Sequence, residues 1–150
     1  MAKFMVDFPD DFMKKLFDTN SEDICMEALE ESAPLLEESM KSVLKSGRHE
    51  LSGELIKSIK AAKAKKAKNG AFIISVRPTG YSSINSYAVK GKGNKTRKYP
   101  LSNAAKAIFL EYGVNGRQPA RPFIDASTNT ASSAVLSKMQ EVYNRKVGAE

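Results

Sequence analysis

Residues 71–78, AFIISVRP, are the stretch on which the fold turns. Phe, Ile and Val crowd a short run that Asn69-Gly70 opens and Pro78 closes, the pattern of a β-strand between turns. Phe72, Ile74 and Val76 then share one face, because strand side chains alternate. The other clear signals in the chain are helical, so this strand separates a mixed fold from an all-helical one.

Upstream, Ser52 can cap a helix over SGELIKSIKAAKAKKAK, with Leu55, Ile56 and Ile59 as a short apolar edge. Residues 63–70 hold only Ala, Lys, Asn and Gly and read as helix fraying into a basic turn. Further back lies the strongest helix pattern. Thr19 stands three residues before Glu22, a capping-box spacing, with Ser21 as an alternative cap. Ile24, Ala28, Leu29, Leu35, Leu36, Met40, Val43 and Leu44 follow, mostly at helical spacing, and Gly47 ends the run. Pro34 inside it removes one N–H and clashes with the carbonyl four residues back, so a kink or break is expected near Ser32. PDDFMKKLFD, residues 9–18, reads as a short amphipathic helix, and residues 1–20 as an arm outside the main domain.

Downstream, residues 79–100, TGYSSINSYAVKGKGNKTRKYP, are dominated by Gly, Ser, Asn and Lys and read as a basic loop, within which Ile84 to Val89 could form a second strand. SNAAKAIFLEYG, residues 102–113, reads as a helix capped by Ser102 or Asn103 and stopped by Gly113; a strand over Ala107 to Tyr112 is the alternative. Pro122 suits the first turn of a last helix, whose apolar stripe is Ala131, Val135, Leu136, Met139, Val142 and Tyr143. The boundaries that follow are an arm over 1–20, one domain over 21–146 and a fraying tail over 147–150.

A chain of 150 residues can bury a real core, roughly 70% of its unfolded surface at this size. One cysteine, Cys25, excludes an intramolecular disulfide and fits a reducing compartment. No stretch approaches the roughly 20 apolar residues that cross a bilayer, so no membrane association is expected. The first residues carry acids where a signal peptide needs an apolar segment, and a cytosolic site of synthesis and use is expected.

Charge is segregated. Residues 1–54 hold 13 of the 17 acids, while no acid stands among the 13 bases between Leu55 and Leu110. Such a field attracts polyanions or an acidic protein face, including that of another copy of the chain.

Little else suggests catalysis. A lone His49 and a lone Cys25 provide no metal-ligand spacing, and no metal or other cofactor is expected. GKGNKT, residues 91–96, lacks the spacing of a phosphate loop. A magnesium-dependent nuclease needs clustered carboxylates, and the middle of the chain has none. The protein is therefore expected not to be an enzyme. Lys90, Lys92, Lys95, Arg97 and Lys98, with Lys57 to Lys68 as a second cluster and Tyr87 and Tyr99 alongside, could contact DNA or an acidic partner. A monomeric, sequence-neutral nucleic-acid-binding module over residues 55–98 is thus the alternative reading.

FLEYGVNGRQPARPFID, residues 109–125, is the other distinctive stretch. Gly113, Asn115 and Gly116 permit sharp turns, and Pro119 and Pro122 stiffen the return. Arg117 and Arg121 suit recognition, since a planar guanidinium pairs bidentately with a carboxylate. Arg121 is expected to pair with Glu111 and tie the ends of the loop together.

Three segments resemble the siphophage minor tail component and neck family, which completes the head–tail junction of tailed bacteriophages. Ser52-Gly53-Glu54-Leu55 with Lys57-Ser58-Ile59 is similar to its Thr-Gly-x-Leu-x-x-Ser-Ile helix start. Phe109-Leu110-Glu111-Tyr112-Gly113 is similar to its aromatic-x-Glu-aromatic-Gly-Thr segment, with Val114 in place of the Thr. Ala120-Arg121-Pro122-Phe123-Ile124 is similar to its Ala-Arg-Pro-Phe-Leu motif before the C-terminal helix. The likeness covers roughly residues 28–145 and keeps the order of the motifs.

That resemblance implies an α+β fold, with a small antiparallel β-sheet packed against a long, Pro-kinked N-terminal helix and a C-terminal helix. It implies a virion structural protein of a phage or prophage, assembled in the bacterial cytoplasm into a ring, a hexamer by that likeness, around the DNA channel. The partners would be further copies of the chain and the neighbouring head-completion and tail proteins. Glu111, Gly113, Arg117, Arg121, Pro122 and Phe123 are then the expected interface residues, and the acidic first helix of one copy could face the basic middle of the next.

Overall fold

The computed structural model describes residues 21–47, 53–90 and 95–147. Its order is α1 (Ser21–Ser46), α2 (Glu54–Ser58), β1 (Ile59–Ala61), β2 (Lys65–Lys66), β3 (Phe72–Ile73), β4 (Val76–Pro78), β5 (Tyr81–Lys90), β6 (Thr96–Ser102), α3 (Asn103–Tyr112) and α4 (Phe123–Val147). The fold is α+β: two long helices with three two-stranded antiparallel ladders, β1–β4, β2–β3 and β5–β6. The expected N-terminal arm and the end of the tail lie outside the described residues.

In α1 the buried residues Ile24, Ala28, Ala33, Met40 and Leu44 follow helical spacing. Glu22 and Asp23 in its first turn and Lys45 in its last match the macrodipole. The break considered at Pro34 does not occur, since one helical span runs through it. Pro34 lies on the exposed side of α1, where the carbonyl it frees can meet water. The opposite side packs on α4. Ser39 Oγ donates to the Ser127 carbonyl at 3.0 Å, and the Arg145 guanidinium reaches Glu27 Oε1 at 3.0 Å, so the two helices run antiparallel.

The helix expected from Ser52 into the lysine-rich run ends at Ser58. Beyond Ile59 that run has no large apolar residue to bury, and a short isolated helix is marginal in water. The backbone pairs instead: Ile59 with Pro78, Lys60 with Arg77, Ala61 with Val76, and then Lys65 with Ile73 and Lys66 with Phe72. Carboxylates of α1 hold its free donors, Glu37 accepting from Ala61 N at 2.8 Å and Glu30 from Ala64 N at 3.2 Å. AFIISVRP is therefore extended but divided into β3 and β4. Its faces are as expected: Phe72, Ile74 and Val76 are half-buried, and Ile73, Ser75 and Arg77 are exposed.

The basic loop expected over 79–100 is mostly a hairpin. Ser86 pairs with Pro100, Tyr87 with Tyr99, Ala88 with Lys98, Val89 with Arg97 and Lys90 with Thr96, after an irregular stretch between Tyr81 and Ser86. The polar composition suggested a loop; Ile84 to Val89 carried the strand signal, and cross-strand partners complete it.

Ser102 caps α3 as expected, its Oγ accepting from Ala105 N at 3.1 Å, and Gly113 ends the helix. One apolar cluster joins Met40 and Leu44 of α1, Leu55 of α2, Ile59 of β1, Ala107 and Leu110 of α3, and Phe123 of α4. Of the stripe expected on α4, Ala131 and Val142 are buried, Val135, Met139 and Tyr143 are half-buried, and Leu136 points outward.

Candidate functional site

The segment from α3 to α4 forms a locked elbow. Glu111 is buried at 6% exposure, and its carboxylate accepts from Ile124 N at 2.8 Å and Asp125 N at 3.4 Å. These are the second and third residues of α4, whose N–H groups lack helical partners. Pro122, just before the helix, has no side-chain acceptor with which to cap them, and Glu111 takes that role from the preceding helix.

Arg121 N donates to the Leu110 carbonyl at 2.7 Å, closing the elbow a second time. Between these ends Val114 and Gln118 exchange backbone hydrogen bonds at 2.8 and 2.9 Å around a tight turn. Gly113 lies at φ 73° and ψ 178°, with the chain of Gln118 to Ala120 folded against its α-carbon.

The expected Arg121–Glu111 ion pair is not formed: the carboxylate is spent on the helix, and the Arg121 side chain is exposed. Phe123 is fully buried in the core. Glu111 and Phe123, expected at the interface, are thus the scaffold of the elbow. Arg117, Arg121 and Pro122 are on its surface, and Gly113 is half-buried.

Sequence reasoning missed an apolar outer face on α3. Ile108 is 55% exposed, Phe109 41% and Tyr112 73%. Ala107, Leu110 and Glu111 face inward, so this helix is apolar on more than its core side. The run Ala-Ile-Phe-Leu-Glu-Tyr contained that signal, because a short helix with one buried face cannot hide so many apolar residues.

The second feature is the β5–β6 hairpin, whose base is fixed to the body. Glu54 accepts from Ser82 Oγ at 2.7 Å, from Ser83 N at 2.9 Å, from the Ser83 hydroxyl and from Lys106 Nζ at 2.9 Å. Ser82 Oγ in turn accepts from Ile84 N at 3.2 Å and Asn85 N at 2.9 Å, which shapes the irregular start of β5. Asn103 Nδ2 donates to the Thr79 carbonyl at 2.8 Å, and Thr79 Oγ1 to the Ser58 carbonyl at 2.9 Å. No sequence pattern joins Glu54 to residues 82, 83 and 106; only the fold does.

Those hydrogen bonds, first from the Ser83 hydroxyl and then from Lys106 and Ser82, hold the Glu54 carboxyl well below the usual carboxylate range. A depressed folded-state pKa adds stability that is present above the unfolded value and lost as pH falls through the folded one. The Tm deficit of Glu54→Gln is therefore expected to be largest near neutral pH and to shrink as pH falls below the ordinary carboxylate range, where the unfolded chain takes up a proton that the native carboxylate still resists. Thermal melts of both proteins from pH 7 down to pH 2 check it.

Beyond that base the hairpin stands in solvent. Lys90, Lys95, Arg97 and Lys98 are all exposed, and none is ion-paired among the described residues; Lys92 lies outside them. Tyr87 and Tyr99 stack across the strands, ring centroids 5.8 Å apart at 29°.

Several acids of α1 are ion-paired within the chain. Glu27 and Glu31 meet Arg145, with Lys146 also on Glu27 and Lys138 also on Glu31; Glu22 meets Lys66, and Glu37 meets Lys41. Of the acidic helix expected to face another copy, Glu22, Glu27 and Glu31 are thus paired with its own β2 and α4.

Cys25 is half-buried, and desolvation pushes its thiol pKa up, away from the reactive thiolate. Among the described residues no three His, Cys, Asp or Glu side chains gather as metal ligands, and no helix is long and apolar enough to cross a membrane. His49 lies outside the described residues.

No family model matches the chain, and neither a curated protein nor a solved structure does.

Proposed function

We propose that the chain is a non-enzymatic structural subunit of a tailed bacteriophage or prophage, forming a ring at the head–tail junction around the DNA channel. The observation that carries this reading is the elbow. It is held rigid by a buried carboxylate and a close-packed glycine, and its outer side displays Phe109, Tyr112, Arg117 and Arg121, all exposed among the described residues. Aromatic and arginine side chains on a preorganised surface are those that dominate protein interfaces. A contact between this face and a different face of the next copy is heterologous and closes into a ring when the rotation permits.

Three motifs resembling the neck family, in order, support the particle type, and the α+β architecture is the one that resemblance implies. The structural work done by Glu37, Glu54 and Glu111 supports a role without catalysis. The neighbouring head-completion and tail proteins are the proposed partners, and the virion junction the proposed location.

The test is Arg121→Ala combined with Tyr112→Ser. Both positions are exposed, so stability is expected to stay within about 0.5 kcal/mol of the parent. Ring formation, scored by electron microscopy beside the neighbouring proteins, is expected to fall at least tenfold. Normal rings from the double variant would refute the assignment of the elbow.

A further inference from the structure

An isolated two-stranded hairpin is at best marginally stable in water. The β5–β6 hairpin nevertheless extends from a base clamped by Glu54, Asn103 and Thr79, with residues 83–90 and 95–100 exposed. Its register distributes the cations over both faces. Lys98 opposite Ala88 and Lys90 opposite Thr96 share one face, while Arg97 opposite Val89 joins the Tyr87–Tyr99 pair on the other.

A ribbon charged on both faces suits a seat between two walls of negative charge better than a single flat surface. The grooves of duplex DNA provide such walls, with one phosphate charge per about 1.7 Å of helix axis. The major groove, about 12 Å wide, admits a two-stranded ribbon.

Among the described residues a second copy offers less free countercharge than its acid count suggests. Glu22, Glu27, Glu31, Glu37 and Glu54 are ion-paired inside the chain and Glu111 caps α4. Hairpin against hairpin would set like charges together.

We propose that the β5–β6 hairpin is a DNA-contacting arm in which Lys90, Lys95, Arg97 and Lys98 hold the phosphate backbone of duplex DNA without reading its sequence. This deepens the connector reading and rests on it only for the presence of DNA in the channel.

The test is fluorescence anisotropy of the full chain with a labelled random-sequence duplex of 30 base pairs. Four phosphate contacts give a slope of log K against log salt of about −3.6, or roughly a hundredfold weaker binding at 200 than at 50 mM salt. The variant Lys90→Ser/Lys95→Ser/Arg97→Ser/Lys98→Ser is expected to keep its thermal midpoint and lose at least tenfold in affinity at 50 mM salt, with a flatter slope. Lys57→Ser/Lys63→Ser/Lys65→Ser/Lys68→Ser, which removes equal charge elsewhere, is expected to lose much less.

Equal losses in the two variants would overturn the proposal, as would no duplex binding by the parent or equal affinity for single strands. So would a hairpin variant that binds DNA normally but no longer joins the neighbouring proteins, since the arm would then grip protein. Ring formation is scored separately, so a hairpin variant that loses DNA but still forms rings supports the arm, and failure of the parent to form rings counts against the connector reading alone.

Discussion

Gly113→Ala is expected to destabilise the protein by about 3 kcal/mol or more, in excess of any ordinary surface substitution. At φ 73° and ψ 178° the backbone occupies a region that is essentially reserved for glycine. A β-carbon there would sit 2.7 Å from Ala120 N, 2.8 Å from the Gln118 carbonyl oxygen and 3.0 Å from the Pro119 carbonyl carbon. All three are backbone atoms, so no side chain can rotate aside. The substitution must open the elbow, and with it the Val114–Gln118 turn that presents Arg117.

Gly116→Ala is the internal control. Its φ is 70°, but nothing lies within 4 Å of the added carbon. Only the left-handed backbone cost remains, about 1 to 2 kcal/mol. Urea denaturation of both variants measures the difference, and equal costs would show that the elbow is not packed as described.

Phe123→Ala is expected to cost about 3 to 5 kcal/mol. Phe123 is fully buried, and it is the residue through which α4 enters a cluster supplied by α1, α2, β1 and α3. Against a total stability of about 5 to 15 kcal/mol, that loss leaves a large fraction of the chain unfolded on warming. Phe123→Leu keeps most of the volume and is expected to cost less than about 1.5 kcal/mol. The N-terminus of α4 also loses its anchor in the alanine variant, so the Glu111 cap should fray with it. Hydrogen exchange at Ile124 and Asp125 reads that directly: strong protection in the alanine variant would mean that the cap, and not the ring of Phe123, places the helix.

Elements with a strong local period were legible in the sequence. The stripe from Ile24 to Leu44 gave α1, Ser102 and Gly113 bounded α3, and Pro122 marked the start of α4. The alternation of Phe72, Ile74 and Val76 was legible too, although not the division of that strand. What failed was decided by tertiary partners. The lysine-rich run after Ile59 has respectable helix formers, yet its backbone follows β4 and the α1 carboxylates. The hairpin reads as a loop because its strands satisfy each other and bury almost nothing.

The same division holds for the site. Glycine, proline and arginine identified residues 113–122 as a rigid, surface-bearing turn. Opposite charge points from Glu111 to Arg121, whereas the N–H groups of Ile124 and Asp125, which have no helical partners, take the carboxylate. Segregated charge suggested contacts between copies. The fold returns Lys138, Arg145 and Lys146 to α1, while the hairpin cations Lys90, Lys95, Arg97 and Lys98 have no partners among the described ion pairs.

The most direct measurement is the mass of the unmodified chain by light scattering, alone and mixed with the neighbouring junction proteins, followed by electron microscopy of the product. The connector account expects a closed ring weighing several times the 16.4 kDa of one chain, at least once its neighbours are present. A protein that stays at 16.4 kDa in every mixture would contradict it.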